Sequence, residues 1–115
     1  MAQVSRPILP RLIVSVGTIL TVVIPPINIS AEDQAILELE NLGTDTFNGT
    51  IWTSLDGNAP WVPFPDDAFT TMLPGPGQVP RWTRVPGDLL WVRVTGNFAA
   101  ISGTMRRSAI LSSKV

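Results

Sequence analysis

Asp88-Leu-Leu-Trp-Val-Arg-Val-Thr95 alternates strictly. Leu90, Val92 and Val94 fall on one side of an extended chain, and Trp91, Arg93 and Thr95 on the other. A period of two is the signature of a strand with one face on a core, because successive Cβ atoms point to opposite sides of the pleat. Turn dipeptides bound the run, Pro86-Gly87 before it and Gly96-Asn97 after it. Outward from this stretch the pattern repeats. Residues 81–85 predict a short strand, and residues 100–107 another, with Ile101, Gly103 and Met105 inward and Ser102, Thr104 and Arg106 outward.

Further upstream, Gln34-Ala-Ile-Leu-Glu-Leu-Glu-Asn-Leu42 places Ala35, Leu37 and Leu39 opposite Glu38 and Glu40, a half-buried strand. Phe47, Gly49, Ile51, Thr53 and Leu55 are in phase along the next strand, which Asp56-Gly57 closes. Trp61-Val62 is a short extended piece between Pro60 and Pro63. Residues 66–73 fit a strand or one helical turn equally well, and Pro74-Gly-Pro-Gly77 reads as an exposed turn. No segment sustains a helical period. Six to eight short strands at this spacing predict an all-β domain, an antiparallel β-sandwich or jelly-roll-like barrel.

The N-terminal part reads differently. Residues 12–24 form an uncharged run after Arg6 and Arg11. The run is too short to span a bilayer as a helix. It is β-branched, contains Gly17, Thr18 and Thr21, and ends in Pro25-Pro26 without a small-x-small cleavage pattern. It therefore reads as a long strand, or two strands broken near Gly17, rather than as a secretory signal. One face carries Leu12, Val14, Val16, Leu20, Val22 and Ile24, and the other, with Ile13, Ser15, Gly17, Ile19, Thr21 and Val23, is still half apolar. Such a strand is central in a sandwich or covered by another chain. Residues 1–11, with Pro7 and Pro10, predict an extended arm lying along a surface rather than pairing fully. The expected organisation is an arm over 1–11, one β domain over 12–111 and a tail over 112–115.

Composition narrows the chemistry. The 115 residues suffice for one domain with one core. Cysteine and histidine are both absent, which removes disulfides, thiol catalysis, the commonest general base and the commonest metal ligand. Asp66-Asp67 point to opposite faces of an extended chain, and Asp56-Gly57-Asn58 and Asp45-Thr46 are turn formers without a calcium-loop spacing. Asn28-Ile-Ser30 and Asn48-Gly-Thr50 match the glycosylation pattern by chance. The expectation is a protein that is not an enzyme, with no cofactor and no metal. A net charge of −1 argues against nucleic acid, and no segment argues for a membrane. The charge is divided, however. Residues 1–70 carry two arginines against eight acids, and residues 71–115 six basic residues against Asp88. Acidic and basic strands either pair inside one sheet or meet between copies.

Four tryptophans and no tyrosine complete the inventory. Trp52 and Trp91 are out of phase with their apolar neighbours, Trp91 stands beside Arg93, and Trp82 lies between Arg81 and Arg84. Such residues are covered by the chain's own loops, anchor a subunit interface, or offer a sugar a stacking platform. The interface candidates are Arg6, Arg11, Ile13, Ile19, Val23, Trp52, Trp82, Trp91, Arg93 and Arg106.

From Ile36 onward the order of features resembles a known layout. Leu39-Glu-Asn-Leu-Gly43 is followed by Gly49-Thr-Ile-Trp-Thr-Ser-Leu-Asp-Gly57, then Trp61-Val-Pro63, Pro86-Gly-Asp-Leu-Leu-Trp-Val-Arg93 and a closing strand ending Arg106-Arg-Ser108. Over residues 36–108 this is similar to the small β-sandwich virion proteins of tailed bacteriophages, the decoration (cement) and related accessory proteins. The resemblance implies a homo-oligomer, often a trimer, on the capsid exterior after assembly in the host cytoplasm. It implies a major capsid protein as partner, and stabilisation of the shell by bridging its subunits. The alternative is a tail or fibre module that binds a host glycan through Trp52, Trp61, Trp82 or Trp91.

Overall fold

Among the described residues eight strands make up the fold: β1 (Gln3–Val16), β2 (Thr21–Asn28), β3 (Gln34–Asn41), β4 (Phe47–Ser54), β5 (Val62–Pro63), β6 (Arg81–Pro86), β7 (Trp91–Phe98) and β8 (Gly103–Lys114). The computed structural model describes residues 3–74 and 80–114. Among them the only helical element is one 3-10 turn, Gly87–Leu89, between β6 and β7. Most of the Pro74–Gly77 turn expected above lies outside the described residues. The strands form two antiparallel four-stranded sheets, sheet A in the order β1-β8-β3-β6 and sheet B in the order β2-β7-β4-β5. The pairs β1/β8, β2/β7, β3/β6 and β4/β5 are nested, as in a long hairpin rolled up on itself. That is the connectivity of a jelly roll, one of the two architectures expected from the sequence.

The core lies between the sheets, and the predicted inward residues build most of it. Ala35, Leu37 and Leu39 of β3, Ile51 of β4, Val85 of β6, Val92 and Val94 of β7, and Met105 of β8 are completely buried. Phe47 and Phe98 meet edge to face, with centroids 5.7 Å apart and planes at 71°, a geometry that adds about 0.5–1.5 kcal/mol to area burial. Gly96, expected in a turn, instead lies inside β7 opposite Gly49. A Cβ at Gly96 would stand 2.3 Å from the Phe47 ring, so the missing side chain is what lets that ring lie across the strand pair. The turn after β7 falls at 99–102 instead.

The apolar run 12–24 is divided at 17–20. Its first half ends β1 in sheet A and its second half opens β2 in sheet B, so both halves are edge strands. A register shift between Val22 and Ile24 breaks the alternation, and Val23 and Ile24 are both buried. Residues 3–11, read as a surface arm, instead pair with β8 from Gln3↔Lys114 onward. The prolines still leave a mark: register shifts fall between Pro7 and Leu9 and between Leu9 and Leu12, on an edge strand where a missing donor is tolerated. Ser112 likewise belongs to β8, opposite Gln34, rather than to a tail.

Residues 64–74 are neither strand nor helix but a packed irregular segment that closes one side of the sandwich. Phe47 and Met72 exchange backbone bonds of 3.0 and 2.7 Å, and Gly49 N donates to Phe69 O at 2.8 Å, which covers the free edge of β4. From the same segment Asp66 accepts from the Thr83 hydroxyl of β6, and the Ala68 and Thr70 carbonyls accept from Arg81. Phe69 and Met72 turn into the core.

Candidate functional site

Part of the divided charge pairs within sheet A. Acidic β3 lies between the basic strands β8 and β6, with Glu40 opposite Arg106 and Glu38 opposite Trp82. Arg106 Nη1 donates to Glu40 at 2.8 Å. Arg11 reaches over β8 to clasp Glu38 bidentately, at 3.0 Å from Nε and 3.2 Å from Nη2. Of these two pairs only Arg106–Glu40 joins the acidic half of the chain to the basic half, since Arg11 and Glu38 both belong to residues 1–70, and these partly exposed pairs contribute about 0.2–1 kcal/mol each.

The outer face of sheet B collects three of the tryptophans. Trp52 is opposite Arg93 and Trp91 is opposite Ser54. Trp52 Nε1 donates to Thr95 Oγ1 at 2.8 Å, and the Arg93 guanidinium sits 4.4 Å from the centroid of Trp61. Gly57, held at φ 84°, brings the β4–β5 loop within 3.0–3.1 Å, measured from an added Cβ, of the Trp91 indole. Ser54 Oγ fixes that loop by donating to Asn58 O at 2.6 Å and accepting from Gly57 N at 3.1 Å. Trp52, Trp61 and Trp91 are all half-buried. Arg93 Nε is buried without a hydrogen-bond partner among the described residues. Loops of the same chain thus cover much of this face.

On sheet A's outer face Trp82 and Arg84 are exposed, Ile36, Glu38 and Ile110 are half-buried, and Ser108 is buried. Strand register sets out two rows of side chains across this face. The first runs Trp82, Glu38, Ser108, with Arg11 bent over from β1, and the second runs Arg84, Ile36, Ile110, Pro7. Between them lies a groove of 380 Å³. Ser108 Oγ also donates to Glu38 at 3.2 Å. Trp82 is 54% exposed, although the Arg84 guanidinium lies 5.0 Å from its ring centroid. Glu38, Ser108, Arg84, Ile36 and Ile110 were not among the expected site residues. The outward phase of Glu38 was readable, but its pairing with a tryptophan more than forty residues away was not.

A third surface lies at one end of the sandwich, where the turns 17–20 and 99–102 meet. Phe98 N donates to Gly17 O at 2.9 Å, and Asn97 Nδ2 to Thr18 O at 3.3 Å. Asp45 clamps the second turn: its carboxylate accepts from the backbone of Thr46 at 2.8 Å, Ala100 at 2.5 Å and Ile101 at 2.8 Å. Those bonds, led by Ala100, hold the Asp45 carboxyl below its usual range. The apolar side chains of these turns point outward: Ile19 is 79% and Leu20 67% exposed, and Ile101 and, at the start of β2, Val22 are exposed as well.

Of the expected interface residues, Ile19 lies at this end, Ile13 is exposed on β1 opposite Arg106, Arg11 and Trp82 line the groove, and Arg106 is tied to Glu40. Val23 is in the core and unavailable to a partner, because the bulge in β2 turns it inward. The side chain of Arg6 lies outside the described residues. Among the described residues no group of three acidic side chains is placed to hold a metal. Asn28 and Asn48 spend their amide oxygens on Ser30 and Thr71.

The described residues therefore form an all-β sandwich whose sheet B tryptophans are half-buried, whose sheet A carries a groove with Trp82 exposed, and whose turn 17–20 presents exposed apolar side chains. Comparison with protein-family models, with curated proteins and with solved structures finds no match to this chain.

Proposed function

We propose that this protein is a structural assembly module, a virion accessory protein of the capsid-decoration kind that its sequence resembles. It self-associates as a trimer and bridges subunits of a shell from the outside. The apolar end carries this reading. Ile19 and Leu20 protrude from a turn that hydrogen bonds to β7 hold in place, so they are presented rather than frayed. A rigid exposed apolar patch marks an interaction surface. Jelly rolls serve capsids widely, which supports the reading by analogy only. The action is passive: burial of about 1,000 Å² or more at each contact, repeated by symmetry, raises the cost of pulling a shell apart.

The test is the solution mass of the full chain by light scattering across concentration, beside the double substitution Ile19→Asp, Leu20→Asp. A discrete oligomer that the substitution converts to a folded monomer is the expected result. A wild-type monomer at every concentration would overturn self-association through this end.

A further inference from the structure

We propose that the groove on the outer face of sheet A binds a glycan, seating one pyranose ring against Trp82. The inference goes beyond the assembly reading and concerns a different surface. It also moves a sugar platform away from Trp52, Trp61 and Trp91, which other side chains and loops already engage.

Three features of the groove carry the argument. The first is an indole that stays 54% exposed on edge strand β6 even with Arg84 stacked near it. An indole offers a broad apolar surface to the C–H face of a sugar ring, together with one polar handle. The second is the polar row beside it. Arg11, Glu38 and Ser108 are already bonded to one another, so their directions are set before a ligand arrives. A guanidinium has five N–H donors, more than the two that Glu38 receives from Arg11. Donors and carboxylate lone pairs left over along this row match the alternating donors and acceptors of ring hydroxyls. The third is the floor. Ile36 and Ile110, flanked by Pro7, make it apolar on the side away from the polar row. A pyranose has this same division, with apolar C–H faces and a polar rim. The volume, 380 Å³, falls within the range of about 300–1,000 Å³ usual for small-molecule sites. Arg84 adds a positive charge at the rim, which favours an acidic sugar over a neutral one of the same size.

The probes are soluble hexasaccharides of glucose, N-acetylglucosamine and galacturonic acid at millimolar concentration. The readout is the indole N–H resonance of each tryptophan in the full chain. At least one probe, the acidic one most strongly, is expected to shift the Trp82 signal and leave the Trp52 signal in place. Trp82→Ala is expected to weaken binding at least about tenfold, and Arg11→Gln to weaken it by less, both with unchanged far-ultraviolet circular dichroism. The Ile19→Asp, Leu20→Asp protein is expected to bind like the wild type, which separates this site from the assembly surface. No shift with any of the three probes, or binding that survives Trp82→Ala, would overturn the proposal.

Discussion

Trp82-Thr-Arg84 and Trp91-Val-Arg93 are the same pattern on two strands, and the fold treats them in opposite ways. Both put a tryptophan and an arginine on the outer face of a sheet with a core residue between them, Thr83 in one case and Val92 in the other. Trp91 lies on β7, which has neighbours on both sides, and the β4–β5 loop reaches it through Gly57. Arg93 is drawn onto Trp61 from the approach to β5. Trp82 lies on edge strand β6, and Arg84 stacks back on its own strand's tryptophan. Alternation decides which face a side chain takes. Whether that face meets water is decided by where the strand falls in the sheet and which loop passes over it.

This difference is open to direct attack by mutation. The largest effect is expected at the covered pair: Trp91→Ala should cost about 2–4 kcal/mol in chemical denaturation, and Trp82→Ala under about 1 kcal/mol. Equal costs would show that the two faces are energetically alike. Next comes the covering loop itself. Gly57→Ala places a side chain at φ 84° and against the indole, and should cost about 1–2 kcal/mol. Part of that cost should vanish in a Trp91→Ala background, where only the backbone strain remains. The smallest contrast is between the arginines. Arg93→Ala should cost about 1 kcal/mol through loss of its contact with Trp61, and Arg84→Ala about 0.5 kcal/mol or less.

The strands were legible where one face is buried and the other is wet. Ala35, Leu37 and Leu39 against Glu38 and Glu40 read correctly, as did Val92 and Val94 against Trp91 and Arg93. Errors arose where a local signal competed with a distant partner. Gly96-Asn97 has turn chemistry, yet Phe47 needs the space above Gly96, so the strand continues to Phe98. Leu55 is in phase with Ile51 but stands one residue beyond the end of β4, and it is 82% exposed. Ile101 lies likewise in a turn that begins later than expected. The groove was the least legible feature. It joins residues of β1, β3, β6 and β8, and strand pairing across such separations leaves no trace in a local pattern.

The nested pairing constrains what can close during synthesis. The most local seam, β4 with β5, spans only Trp52↔Pro63 and Thr53↔Val62, too little to hold as a nucleus in isolation. Each further nested seam joins residues more distant in the chain, Gln3 with Lys114 the most distant of all. Strand β8 fills the slot between β1 and β3, so sheet A stays in two pieces until residues 103–114 leave the ribosome. Until then the apolar residues of β1 have no strand beside them and are open to the wrong neighbour. Slow closure and dependence on protection from aggregation during translation follow from that one placement.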